Sequence, residues 1–390
     1  MTQPVIILKP HRLNRIHRLF PELYRNDFYQ IRGNPQAGDL VRLIADDGDF
    51  AGIGYFNPKS QTIVRVLTIQ DEPIDRQFFT RKLEQAFRRR DGFSADSNTV
   101  RLFHGFADGL PGLFIDRVDE TLILQATTFF MDKQRELLGQ LAAELTGSSR
   151  VLYLSRKDES EMLKDAMFPL VGSVPERLQI REGAFTWEVT PAELYRSFFP
   201  DERQIRHAVA RLTQPARAVL DLFAGIGTLE CSIASNDTRK EIVAIEPGEN
   251  MLQQARQFCQ QRFDKVPVEW IADDPLEALY RLQEQGRQFD VVLIHPPFQT
   301  RDVREYKRIK WRYWYYVFHA LPLLRPGGYL LVSTRSAHFS QDNLVQTIAQ
   351  AASGRGLPIY LRETLTPPPD YPYLLQYPQT FYLKAVVCQI

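Results

Sequence analysis

Near the N-terminus the apolar positions follow a period of two. Gly38 to Ile44 alternates, Asp47-Gly48 marks a hairpin, Ala51 to Tyr55 resumes the alternation and Ile63 to Leu67 repeats it. Residues 1–72 therefore read as a small β-rich module. From residue 75 to 90 the spacing changes: Phe78, Phe79, Leu83, Ala86 and Phe87 recur at helical intervals. Strands are predicted at Leu113–Asp116 and Leu122–Thr127, a helix over 131–146, a strand over 150–154 and a strand pair near 178–190, so 73–187 reads as a mixed α+β block. Over 188–390 strands alternate with helices. The strands are Ala218–Leu222, Glu241–Glu246, Val268–Ile271, Val291–Ile294 and Tyr329–Ser333, with a helix over Met251–Phe263 and a last strand over Thr380–Val387. That alternation predicts an α/β, doubly wound, Rossmann-like domain around a largely parallel sheet.

The chain has 390 residues, 44% hydrophobic and 24% charged, which excludes disorder as its main theme. No run of about 18 apolar residues occurs, so no spanning helix and no membrane partner are expected. Three scattered cysteines, Cys231, Cys259 and Cys388, suit a reducing cytoplasm and make neither a disulfide framework nor a metal cluster. The net charge is only +1, yet basic residues cluster at the N-terminus (Lys9, Arg12), over 81–90 and over 301–312. The last cluster, with Lys307, Arg308, Lys310 and Arg312, is interleaved with Tyr306, Trp311 and Tyr313 to Tyr316. Cations that hold a phosphate backbone beside rings that stack on bases are the pattern of RNA binding. Solvated helix faces are the plainer reading of any single cluster.

The clearest chemical motif is Asp221-Leu222-Phe223-Ala224-Gly225-Ile226-Gly227-Thr228, a buried strand running into a glycine turn. Gly225 and Gly227 let the backbone approach a ligand, and Glu246 at the next strand end suits a ribose diol. Dinucleotide enzymes share this layout. Two details favour S-adenosylmethionine (SAM). The place of a third glycine is taken by Glu230, which is poor for a pyrophosphate, and Asp221 suits an ammonium group. Asp273 or Asp274 follows the third strand, where an acid meets the adenine amino group. His295-Pro296-Pro297-Phe298 ends the fourth strand, facing the methyl donor. Nucleic-acid methyltransferases often carry a polar residue, two prolines and an aromatic there, which orient the acceptor and stack on an extruded base.

Across nearly its whole length the chain resembles the bacterial 23S ribosomal RNA cytosine-C5 methyltransferases that carry an N-terminal PUA domain. The resemblance rests on Ile7-Leu8-Lys9-Pro10, on Gly54 to Ser60 with Lys59, and on Arg101-Leu102-Phe103-His104-Gly105 followed by Asp108 to Arg117. It continues in Phe198-Phe199-Pro200-Asp201-Glu202-Arg203 and in Tyr382-Leu383-Lys384. It implies a PUA domain, an α+β middle domain and a class I methyltransferase domain. It also implies SAM as cofactor, RNA and first of all 23S ribosomal RNA as partner, and a segment at Phe199, Asp201 and Arg203 that folds over the cofactor. A homodimer is left open. Three departures stand out: His295 replaces the family's Asp, Tyr195-Arg196-Ser197 replaces its Lys-Thr-Gly, and Val332-Ser333-Thr334-Arg335-Ser336 lacks its nucleophilic cysteine. Carbon-5 methylation needs that thiolate, whereas an exocyclic amine needs chiefly positioning. Retained binding without catalysis is a further possibility.

Overall fold

The protein is described from a computed structural model, which covers residues 3–10, 12–17, 20–92, 97–183, 185–236, 240–260, 268–297 and 305–390. It divides into two compact units, Met1–Pro191 with Pro369–Thr380, and Ala192–Pro368 with Phe381–Ile390.

The first unit holds two sheets and a hairpin. Six strands pair in the order Glu22–Tyr24, Thr62–Thr68, Phe50–Phe56, Leu40–Ile44, Val5–Leu8 and Phe28–Arg32. Their alternating apolar positions point inward, so Ile6, Leu8, Val41, Leu43 and Val64 are buried together. The short helix Arg12–His17 has no periodic signal of its own and was not expected. Five strands form the second sheet, in the order Ala166–Val171, Arg150–Ser155, Thr121–Ala126, Leu113–Val118 and Thr99–His104. The pattern missed its two edge strands. Ala166–Val171 is half-exposed and carries Pro169, so its alternation is lost. Thr99–His104 is buried at every position and shows no alternation either. The predicted helix over 131–146 is two helices, Phe129–Lys133 and Arg135–Thr146, which meet at Gln134.

The long string from Arg101 to Arg117 owes its composition to buried charge. The Arg101 guanidinium grips Asp116, meets His104 Nδ1 at 3.0 Å and lies 4.5 Å from the Tyr371 ring. Arg90 holds Asp108 through two hydrogen bonds. Each buried carboxylate thus has its cation, as burial of charge requires.

The second unit is built on one seven-stranded sheet. Its order is Val268–Ile271, Glu241–Ile245, Ala218–Asp221, Phe289–Ile294, Leu324–Thr334, Lys384–Gln389 and Tyr360–Leu365. The first five run parallel, Lys384–Gln389 runs antiparallel to them, and Tyr360–Leu365 pairs antiparallel with that strand and so points the same way as the first five. Its parallel strands are near-continuous apolar runs because both faces are covered. The last strand begins at Lys384, not Thr380, because the Tyr382 hydroxyl is drawn to Asp201 while the ladder with Thr334 starts at Lys384. Tyr360–Leu365 was missed because it is an exposed edge. The second helix spans Glu249–Gln260, and the remaining residues predicted for it lie outside the described ones. Chain order reverses between Ala218–Asp221 and Phe289–Ile294, which makes the carboxyl ends of these two strands the switch point.

Candidate active site

The motif residues converge at that switch point. Asp221 ends the first strand with no exposed surface. One of its oxygens accepts from the Phe223 N–H at 2.9 Å, and the other lies 3.2 Å from His295 Nε2. The turn that follows places Gly225 at φ +57°, with open space where a Cβ would stand. Gly227 is at φ +82°, and a Cβ there would come within 3.1 Å of Cys259 Sγ and 3.2 Å of Trp270. Gly225 is therefore shaped by its conformation and by the room beside it, and Gly227 also by packing of the turn against the helix Glu249–Gln260 and the strand Val268–Ile271. Ala224 N–H is held by the Ile245 carbonyl at 2.9 Å, and Phe223 packs edge-on against Tyr316 beneath the turn.

Glu246 follows the second strand. Its oxygens accept from Gly225 N–H at 3.2 Å and Gly248 N–H at 3.1 Å. Burial raises its pKa above the ordinary carboxyl value, and those two amides pull part of the way back. Each oxygen keeps a second lone pair, so the carboxylate can still accept from a ribose diol. The open cradle at Gly225 and this acceptor pair are what a nucleoside needs, and the residues present fit SAM. Asp273 and Asp274 are more committed than expected: Asp273 pairs with Arg281, and Asp274 caps the helix Pro275–Glu284 through Leu276 N–H.

Glu230 stands where a third glycine would, fully buried beside Asp221. Burial, and then the charge of Asp221, push its carboxyl well above the usual range.

His295 and Pro296 follow the fourth strand, with Pro297 exposed beyond them. Burial by itself, the largest single influence, would lower the pKa of the ring. Asp221, Glu202 and Glu246 together outweigh it, so the pKa of His295 is raised. Phe298 lies outside the described residues, as do the basic residues at 301 and 304.

The largest feature that sequence reasoning missed is the role of Arg335, the residue that stands after the fifth strand. Its guanidinium bonds Asp201 at 2.8 and 3.2 Å and Glu202 at 2.8 Å. It lies 4.5 Å from the Phe199 ring centre and 5.5 Å from that of Tyr382. Phe199 has φ +51°, a left-handed conformation that a side chain rarely adopts. Arg206 donates to the carbonyls of Phe198 and Phe199 at 2.9 and 3.1 Å. Two arginines thus tie the 198–203 strap down, and Arg203 is buried within it. Below, Lys384 donates to the carbonyls of Ser336 and Phe339 and fixes the loop after Arg335, and burial lowers its pKa to about 8. The signal that could have found the clamp was the Asp-Glu pair at 201–202, since two adjacent acids, one buried and one partly buried, call for a cation. All three cysteines are buried.

The expected RNA contacts are spread over the surface. Lys9 is half-buried, Arg12 pairs with Asp27 at 3.1 Å, and Lys59 is exposed. Lys307, Arg308 and Arg312 are exposed on the helix Tyr306–Ala320, with Lys310 partly covered.

Comparison with known proteins adds the class. Residues 6–69 match a PUA-like domain, and residues 196–317 match a family described as conserved hypothetical protein 95. The chain is 28% identical over 401 residues to the ribosomal RNA large subunit methyltransferase I of Alteromonas mediterranea, covering 99% of this chain and 98% of that one. The protein of the same name from Shewanella denitrificans is also 28% identical, with 99% of each chain covered. A solved methyltransferase complexed with SAH superposes with a TM-score of 0.82 at 16% identity over 100% of both chains. The chain has the fold of that methyltransferase. A protein from Streptococcus mutans described as a SAM-dependent methyltransferase has the same fold, with a TM-score of 0.82 at 15% identity over 99% of this chain. Among the described residues no helix is long and apolar enough to cross a membrane.

Proposed function

We propose that the protein methylates a base of large-subunit ribosomal RNA, and that the acceptor is an exocyclic amine, not carbon 5 of cytosine. The observation that carries this is Arg335. The place after the fifth strand, where the resembling family keeps its nucleophile, is filled by a guanidinium bound to Asp201 and Glu202. Attack at carbon 6 of cytosine requires a thiolate, and the three thiols here are buried, with that of Cys388 raised to about 11 by burial. An amine needs its lone pair aimed and one proton removed.

His295 supplies the base. Asp221 accepts from Nε2–H, which leaves the lone pair on Nδ1 for the amino proton, and the buried carboxylate stabilises the imidazolium that results. Gly225, Glu246 and the strap at Phe199 would hold SAM, which supplies an electrophilic methyl group when bound. Pro296-Pro297 stiffens the loop that carries His295. The PUA-like domain, with Lys9, Arg12 and Lys59, and the cluster Lys307, Arg308, Lys310 and Arg312 hold the phosphate backbone. The relatives named for large-subunit ribosomal RNA support that substrate.

The test is mass spectrometry of nucleosides from ribosomal RNA of wild-type and deletion strains, with labelled SAM as donor in vitro. An N-methylated base that is lost on deletion supports the reading. Loss of 5-methylcytosine would overturn the choice of atom, and no change in any RNA would overturn the activity. Substituting Lys307 and Arg308 with alanine should weaken RNA binding at every sequence. The slope of log K against log salt should fall by roughly 0.7 to 0.9 for each phosphate that is no longer neutralised. An unchanged slope would make the cluster a solvated helix face.

A further inference from the structure

The helix Tyr306–Ala320 presents two unlike faces. Ile309, Tyr313, Tyr316, Val317 and Ala320 are buried in the core of the second unit. Lys307, Arg308, Trp311, Arg312, Tyr315 and His319 fall at spacings of three and four along the other side, and none of them is buried. Residues at such spacings share one face. Trp311 is 56% exposed, unusual for the largest apolar side chain. Its ring lies 3.9 Å from that of Tyr315, and the Tyr315 ring lies 5.6 Å from His319. His319 continues to Tyr280, itself 41% exposed, at 4.6 Å between ring centres and 3.2 Å between Nε2 and the hydroxyl. Four rings therefore form an unbroken ladder on the surface. Its first steps are flanked by the exposed cations Lys307, Arg308 and Arg312, with Arg308 also pairing with Glu305.

Resting on the RNA reading above, we propose that this ladder is a stacking platform for unpaired nucleotides of the RNA substrate. Two features select that occupant. Bases offer flat π faces to rings at any sequence, and their phosphates match the cations beside Trp311. A paired helix offers phosphates but no free base faces, so the platform discriminates single strands from duplex. Among the described elements this helix is the next in sequence after the strand that ends at Ile294, so a strand bound along it is anchored on the described element that follows the proposed base.

The test compares a short single-stranded RNA oligonucleotide with a duplex of the same length, binding to the full chain. Trp311→Ala should lower affinity for the single strand roughly 5- to 150-fold. It should leave the duplex and the salt slope unchanged, and the Trp311→Phe variant, which keeps a ring, should restore most of the binding. Trp311 is exposed, so both variants should melt as the wild type does. Wild-type affinity in Trp311→Ala, or equal loss for single strand and duplex, would overturn the platform. If Trp311→Ala binds RNA normally but shifts the oligomeric state, the face belongs to a second copy and the platform is equally overturned. In either case wild-type methylation of ribosomal RNA would leave the proposed activity standing. Failure of the wild type to bind or methylate any RNA would remove both.

Discussion

Replacing His295 with alanine is expected to lower kcat for methyl transfer by about a hundred- to ten-thousand-fold, the range for a lost general base. SAM binding should change little, because the glycine turn and Glu246 are untouched. Normal methylation by the variant would end the role given to His295. The pH profile gives an independent reading. The base is the neutral ring, and its pKa is raised, so activity should climb as pH rises through that raised value and then level off. Burial is the largest single influence and lowers it, and Asp221, then Glu202 and Glu246, together raise it past the ordinary value. Asp221→Asn removes the largest of these charges, so the limb of the profile should move to lower pH while the maximum rate falls. A limb that stays in place would mean that another group titrates.

Arg335→Met should be the most damaging substitution for stability. It removes the guanidinium that Asp201 and Glu202 share, and the side chain of Asp201 is only 6% exposed. Breaking a largely buried pair by removing one partner costs about 3–5 kcal/mol. The second unit should therefore unfold at clearly lower urea concentration, and the Phe199 strap should lose protection in hydrogen exchange. Arg335→Lys should recover part of the loss, since an ammonium keeps the charge without the two-pronged geometry. Arg335→Cys restores the family's residue in name only. It should be as unstable as the methionine variant and yield no 5-methylcytosine, because the carboxylates that surround it repel a thiolate. Stability within about 1 kcal/mol of wild type in Arg335→Met would show that the clamp holds nothing.

Much of the site was legible before any fold was known. Asp221, Gly225, Gly227, Glu246 and His295 each stand at a strand end or in the turn that follows, and strand ends are readable because a parallel strand is an uninterrupted apolar run. A glycine turn between such a run and a helix has few uses. Edge strands were less readable. Tyr360–Leu365 and Ala166–Val171 are exposed on much of their length, so the local pattern carries no inward face to detect. The rings of 306–316 were ambiguous for another reason. Helical spacing places Tyr313 and Trp311 on different faces, but only the neighbouring sheet decides which face is core.

Taken alone, the chain determined its α/β class, the glycine turn with its acids, and the absence of a cysteine after the fifth strand. These are local properties, set by residue type and by spacing along one segment. The tertiary structure decided which partners those residues meet. It placed Asp221, read as an anchor for an ammonium group, against His295, 74 positions away. It also turned Arg335 from a missing nucleophile into a clamp on Asp201, 134 positions away. The physical reason is burial. A charge taken out of water must find a partner wherever the fold brings one, and no pattern within a single segment records which partner that is.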